Sequence, residues 1–85
     1  MKHAGPAALL TIEPLLIELR RLESLREPKP GTFYWKSSAF VHFHEDPAGM
    51  FADLRHADGW TRLPVNTAAE CSRLVHLATQ ILSEK

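Results

Sequence analysis

The sequence predicts a single α+β domain in which two helices pack on one face of a three- or four-stranded antiparallel meander. Three observations predict this α-β-β-β-α order: apolar residues at helical spacing near the start, alternating residues with two turn signals in the middle, and a capped amphipathic helix at the end. With 85 residues, 45% of them hydrophobic, the chain can build one core but not two. We expect residues 11–85 to form this domain and residues 1–10, which show no clear period, to be a loose N-terminal arm.

The first helix is predicted to begin at Thr11, because apolar residues then return every three or four positions with charged residues between them. Thr11 is a candidate N-cap. Pro14 is tolerated in the first turn, where its missing N–H has no intrahelical partner to lose. The helix is expected to end near Arg26, since the Pro-Lys-Pro-Gly sequence that follows disfavours helical dihedral angles. Residues 27–32 are therefore expected to be a loop.

Alternation between apolar and polar residues predicts three strands after this loop. The segment Asp46-Pro47-Ala48-Gly49 places proline and glycine where a tight turn needs them, and Asp58-Gly59 is typical of a hairpin turn. Both signals predict hairpins, so the strands should form an antiparallel meander. The predicted strands are residues 39–45, 50–56 and 60–65, and the aromatic residues 33–35 form either an edge strand or a plug at one end of the core.

The strand register can be argued from the side chains, because a slip of one residue would move every side chain to the opposite face. Pairing Glu45 with Met50 and Ala57 with Trp60 separates the strands into two faces. The predicted inner face is apolar and comprises Ala39, Val41, Phe43, Met50, Ala52, Leu54, Leu63 and Val65. The predicted binding face is the opposite one and comprises Phe40, His42, His44, Phe51, Asp53, Arg55, Trp60 and Arg62.

The last helix is predicted from a capping box, Thr67-Ala68-Ala69-Glu70, in which the Thr hydroxyl and the Glu carboxylate accept hydrogen bonds from each other's backbone N–H groups. Apolar residues then recur at helical spacing as far as Leu82. Cys71, the single cysteine, lies on this apolar stripe. It is therefore expected to act as a small hydrophobic side chain rather than as a nucleophile, and an internal disulfide is excluded.

The predicted binding face combines large aromatic residues with arginine and contains no lysine, a composition typical of protein interfaces. This favours a small non-enzymatic interaction module, a homodimer or the binder of a small protein partner. An ordinary solvated surface is one open alternative. A weak nucleic-acid-binding domain is another, although the net charge of zero and the lack of a basic run argue against it. The residues that would stack on bases or contact phosphates are Phe40, Phe51, Trp60, Arg55 and Arg62.

A different alternative rests on His42 and His44, which share one face of a strand, with His42 facing Asp53. These three side chains are candidate metal ligands, and a His-Asp pair can also act as a general base, so a metal-dependent or histidine-based enzyme stays open. The pattern supplies no fourth ligand. Two histidines on a half-exposed face, with Asp53 bonded to one of them, are the simpler explanation. We therefore assign no catalytic residue and expect no cofactor.

Apolar stretches in the chain are short, so neither a membrane span nor the core of a signal peptide is expected. The expected location is the cytoplasm. Four scattered glycines match none of the phosphate-binding motifs, which argues against kinase, NTPase and dehydrogenase functions.

Three segments resemble a small family of uncharacterised bacterial α+β proteins: Gly31-Thr32-Phe33-Tyr34, the stretch from Ala39 to Gly49 that contains HFHEDPAG, and Phe51-Ala52-Asp53-Leu54-Arg55. The resemblance spans residues 31–82 and implies a cytoplasmic bacterial protein, without a known activity or site. A weaker likeness of fold links the hairpin from Lys36 to Arg55 and the Gly59-Trp60 step to the MmcQ/YjbR group. Some members of that group are labelled DNA-binding by fold, so this likeness implies a binding role by analogy of shape.

Overall fold

The computed structural model describes residues 1–84, so Lys85, the last residue of the predicted domain, lies outside the described residues. Within residues 1–84, three helices accompany a six-stranded antiparallel sheet, which confirms the α+β class and adds strands to the predicted three or four. The strand order is β2-β3-β4-β5-β6, with β1 beside β4. In chain order the elements are β1 (Lys2–His3), α1 (Pro6–Leu10), α2 (Glu13–Arg20), β2 (Leu25–Lys29), β3 (Thr32–Trp35), β4 (Ser38–Asp46), β5 (Gly49–His56), β6 (Gly59–Pro64) and α3 (Ala68–Glu84).

Residues 1–10, expected to be a loose arm, are instead part of the packed structure. Strand β1 pairs with β4, and His3 lies opposite His44. Helix α1 follows at once and buries Leu9, which is 8% exposed. A two-residue strand and a five-residue helix are too short to show a period, so alternation could not reveal them.

The first predicted helix is shorter than expected and is divided. Thr11 is the C-cap of α1 rather than the N-cap of a helix, and its hydroxyl donates to the carbonyl of Ala8 at 2.6 Å. Helix α2 ends at Arg20, and the segment expected to hold the helix end and a loop forms strand β2. Pro28 is compatible with β2 because this strand lies at the edge of the sheet and pairs on one side only.

The core lies between the helices and the predicted inner face of the sheet. Val41 and Ala52 are fully buried, and Phe43 and Leu54 are each 2% exposed, so the central part of the predicted inner face is buried as expected. Two predicted members, Leu63 and Ala39, are only half-buried, and Ala39 pairs with Tyr34. Helices α2 and α3 contact each other and cover this face. Their buried side chains are Leu15, Leu16 and Leu19 from α2 and Leu74, Ala78 and Ile81 from α3. The capping box of α3 is present as predicted, with the amide of Glu70 donating to Thr67 Oγ1 at 3.1 Å.

One hairpin has the predicted register and the other differs by two residues. Strands β4 and β5 pair Glu45 with Met50 and Val41 with Leu54, as predicted. Between β5 and β6, Leu54 lies opposite Thr61 rather than Leu63, and the two-residue loop is 57–58. The observed register places Arg62 opposite Asp53, and these two side chains form an ion pair. A shift of two residues keeps every side chain on its predicted face.

Phe40 was predicted on the binding face, and the structure places it in the core, 1% exposed. The register between β3 and β4 shifts here: Phe33 pairs with Val41 and Tyr34 with Ala39, so Phe40 is the extra residue of a β-bulge. Its ring meets the ring of Trp35 edge-on, with centroids 5.5 Å apart. Strict alternation fails at a bulge because the extra residue turns the strand, and the side chain points to the opposite face.

The edge strand β2 is tied to α2 through Glu27. Its carboxylate accepts from Arg20 Nε at 2.7 Å and from the amide of Gly31 at 3.0 Å. The hydrogen bond from Arg20 lowers the pKa of Glu27 below its ordinary value, against the opposing effect of burial. The charged form of Glu27 therefore stabilises the folded chain.

Replacing Glu27 with Gln is expected to lower the free energy of unfolding at pH 7 by about 1 kcal/mol, because the pair is only half-shielded from water. A carboxyl group with a lowered pKa stabilises the fold above its unfolded pKa of about 4.3 and loses this contribution as the pH falls through its folded pKa. The difference between the two proteins should therefore shrink below about pH 4. Urea denaturation at pH 7 and at pH 3 measures it. Glu23→Gln, at an exposed position of the preceding segment, is the control. If Glu27→Gln lowered the free energy of unfolding as much at pH 3 as at pH 7, packing rather than charge would be responsible.

Candidate binding face and histidine cluster

The face of the sheet opposite the helices is the candidate functional surface, and we call it the open face. It comprises the predicted binding face without Phe40, together with His3, Thr32 and Tyr34. Alternation along β3 places Thr32 and Tyr34 here, since Phe33 between them points into the core. The structure thus brings together seven of the eight predicted residues: His42, His44, Phe51, Asp53, Arg55, Trp60 and Arg62.

Asp53 is the buried charge at the centre of the open face and is 7% exposed. The β5–β6 register places Arg62 opposite it, and the guanidinium donates from Nε to Oδ1 at 2.8 Å and from a terminal nitrogen to Oδ2 at 2.9 Å. This double hydrogen bond holds the pKa of Asp53 below its ordinary value, while burial acts in the opposite direction. Asp53 is therefore a carboxylate at neutral pH, fixed in orientation by Arg62.

His42 and His44 lie beside Asp53 and also contact each other. His44 Nε2 is 3.0 Å from Asp53 Oδ2, and His42 Nδ1 is 3.9 Å from the same oxygen. The two ring nitrogens, His42 Nδ1 and His44 Nε2, are 3.1 Å apart. The predicted contact between Asp53 and the histidines is therefore present, and it is closest to His44.

A third histidine, His3, joins this pair and was missed from the sequence. Strand β1 places it opposite His44, with the two ring centroids 4.8 Å apart. One ring nitrogen from each of His3, His42 and His44 lies within 4.8 Å of the others. The sequence holds no signal for this contact beyond the residue type, because a two-residue strand pairing across 41 positions leaves no periodic pattern.

Burial lowers the pKa of His42 below its ordinary value, and the nearby positive charges of His44, His3 and Arg62 act in the same direction, while Asp53 opposes them. His42 is therefore a neutral imidazole at neutral pH, with a lone pair on one ring nitrogen.

Aromatic and guanidinium groups extend the open face on the side of β6. The ring of Trp60 lies 4.8 Å from that of His42, and Arg55 Cζ lies 4.9 Å above the Trp60 ring. Arg55 Nε also donates to the carbonyl of Ala39 at 2.8 Å, which satisfies the backbone at the β-bulge. Trp60 is 45% exposed and Tyr34 is 37% exposed, so two large aromatic side chains of this face reach solvent.

Two observations weaken functional alternatives that the sequence left open, nucleic-acid binding and catalysis by a cysteine nucleophile. Arg55 and Arg62, the cations of the nucleic-acid alternative, are already bonded to Ala39 and Asp53. Cys71 lies on α3, across the sheet from the histidines, and its Sγ is 3.6 Å from the carbonyl of Val65. Burial raises the pKa of the Cys71 thiol, which is the opposite of what a nucleophile needs.

No protein family, curated protein or solved structure shows detectable similarity to this chain. The resemblances noted from the sequence therefore stay predictions. In residues 1–84, no helix is both long and apolar enough to cross a membrane.

Proposed function

We propose that this protein is a small non-enzymatic binding module that self-associates as a homodimer through its open face. The observation that carries this proposal is the exposure of Trp60 and Tyr34 on a sheet face opposite the helices. A cytoplasmic location belongs to the same proposal.

A second copy of the chain is the occupant that the charges favour. Asp53 and Arg62 neutralise each other within one chain, the open face carries no lysine, and the whole chain has a formal net charge of zero. Two such faces can therefore approach with little repulsion. Tyr, Phe, Trp and Arg make up half of the residues of the open face, and these residue types are enriched where proteins meet.

The size of the domain supports the same conclusion. A chain of 85 residues buries only about 60% of the surface that its unfolded form exposes, so it gains much by covering one more apolar surface. A two-fold axis through the open face would bring Trp60 and Tyr34 of each copy against the partner, as a self-complementary dimer requires.

Trp60→Asp is expected to convert the dimer into a monomer, because it places an unpaired carboxylate inside a desolvated interface. Sedimentation velocity at two concentrations measures this as a halving of the molar mass. Trp60 is half-exposed within one chain, so the variant should keep the far-UV circular dichroism of the parent.

Ile17→Asp is the matched control, since Ile17 is 44% exposed and lies on α2, away from the open face. It should leave the molar mass of the dimer unchanged. A parent chain that sediments as a monomer at both concentrations, or a dimer that Ile17→Asp disrupts and Trp60→Asp does not, would contradict the proposal.

A further inference from the structure

We propose that His3, His42 and His44 bind one divalent transition-metal ion, best suited to Zn²⁺, at the centre of the open face, with Asp53 as the fourth ligand. This site lies on the face that the proposed dimer uses, but it is formed by residues of one chain and goes beyond self-association. It depends on a contact between β1 and β4, which are distant in the sequence and meet only in the folded chain.

The distances between the candidate ligand atoms suit a tetrahedral ion. Zinc–nitrogen bonds of about 2.0–2.1 Å place the ligand atoms of a regular tetrahedron about 3.3 Å apart. His42 Nδ1 and His44 Nε2 are 3.1 Å apart, and Asp53 Oδ2 lies 3.0 Å from His44 Nε2 and 3.9 Å from His42 Nδ1. These three atoms thus already approximate one face of the tetrahedron.

His3 supplies the remaining ligand from a position that can adjust. Its ring nitrogen lies within 4.8 Å of those of the other two histidines, so closure onto a common ion requires a movement of about 1–2 Å. His3 is exposed and stands on a strand of two residues, whereas His42 and His44 are half-buried in the middle of the sheet. The rigid pair would therefore bind first, and His3 would close over the ion.

The surroundings of the cluster match what zinc sites use to hold their ligands. Three imidazoles and one carboxylate are the nitrogen and oxygen donors that zinc accepts. Arg62 fixes the carboxylate of Asp53 through two hydrogen bonds, which is the role of an outer-sphere partner that orients a ligand. Coordination would use the lone pair of His44 Nε2, so the ion would replace the contact between His44 Nε2 and Asp53 Oδ2, and the proton of the neutral ring would lie on Nδ1.

Binding should also secure the N-terminal segment, since the ion would link β1 to β4. The hydrogen bonds that hold this segment to β4 include those from the amide of Ala4 to the carbonyl of Phe43 at 3.0 Å and from the amide of Gly5 to the Glu45 carboxylate at 2.8 Å. Hydrogen exchange at the Ala4 amide therefore gives a readout that a remote metal site would not change.

To test the site, the full chain is first stripped of metal with EDTA. It is then titrated with ZnCl₂, followed by isothermal calorimetry, and with CoCl₂, followed by visible absorption. One Zn²⁺ per chain is expected, together with the intense visible bands that tetrahedral Co²⁺ displays. His44→Gln and His3→Ala should each weaken Zn²⁺ affinity about 100-fold, and Arg62→Gln, which releases the carboxylate, about 10-fold. Zn²⁺ should slow exchange of the Ala4 amide in the parent chain but not in His3→Ala.

The two histidines outside the cluster provide matched controls. His56, which contacts Glu84, and His76, on α3, are exposed, and their replacement by Gln should leave Zn²⁺ affinity unchanged within twofold. His3→Ala changes an exposed side chain at a sheet edge, so it should fold like the parent and keep the test valid. Absence of binding by the parent chain, or binding that is lost with His56→Gln or His76→Gln and kept in His44→Gln, would overturn the site.

The site and the dimer can be tested separately. Tyr34→Asp, at the other exposed aromatic of the open face, should disrupt the dimer and still bind one Zn²⁺, and the EDTA-stripped parent chain should still sediment as a dimer. Loss of one property would thus leave the other standing.

Discussion

Replacing Phe40 with Ala is expected to lower the free energy of unfolding by about 3–5 kcal/mol, the largest effect that we predict for this chain. Phe40 is 1% exposed and packs edge-on against Trp35, so truncation removes a whole buried ring and leaves a cavity beside the β-bulge. A domain of 85 residues has a total stability of about 4–13 kcal/mol, so this single change removes a large share of it. Guanidinium denaturation, followed by circular dichroism, measures the difference.

Phe40→Leu is the control for this prediction, because it keeps most of the buried volume. It should cost about 1–1.5 kcal/mol, clearly less than the alanine variant. If Phe40 lay on the open face, as strict alternation predicts, its replacement by Ala would lower the free energy of unfolding by only about 0.5 kcal/mol. A loss that small would show that Phe40 lies outside the core.

Gly49→Ala is expected to lower the free energy of unfolding by about 2–3 kcal/mol, the second-largest effect. Gly49 has a φ of +131°, which L-residues rarely adopt, and an added Cβ would lie 2.6 Å from Asn66 Oδ1. Asn66 holds the start of β5 by accepting from the amide of Met50 at 2.7 Å and donating to its carbonyl at 3.2 Å. Alanine would therefore strain the backbone and displace this amide side chain. Urea denaturation provides the measurement.

Gly59→Ala is the matched control, since Gly59 opens the next strand and an added Cβ would meet no atom within 4 Å. Its φ lies outside the region that favours glycine, so the variant should be neutral or slightly more stable, by up to about 1 kcal/mol. Equal losses at Gly49 and Gly59 would refute the importance of the Asn66 contact.

Local patterns predicted the parts of the fold that depend on neighbours in the sequence. The β4–β5 register followed from a tight turn and from two strands whose apolar residues match across it, so Val41 lies opposite Leu54 as expected. The α3 capping box followed from two residues three positions apart. In both cases the interacting groups lie close along the chain, and the alternatives would bury polar groups or expose apolar ones.

The candidate site was predicted in part. Alternation alone placed His42, His44 and Asp53 on one face, because the buried apolar set left no other register. Alternation could not show that Asp53 pairs with Arg62. The predicted and the observed β5–β6 registers differ by two residues, so both place Asp53 and Arg62 on the same face. Which residues lie directly opposite each other is decided by the loop at 57–58 and by the ion pair that the observed register allows.

The amino-acid order by itself determined the class of fold, the inner face of the sheet and the imidazole-rich open face, because hydrophobic burial acts on patterns with a period of two or 3.6 residues. Only the tertiary structure decided that Phe40 is buried, that the proline-containing strand β2 pairs with β3, and that His3 lies beside His44. A bulge, an edge strand and a two-residue strand carry no periodic signal of their own. These features are stabilised by contacts with residues distant in the chain, which become neighbours only after the sheet has formed.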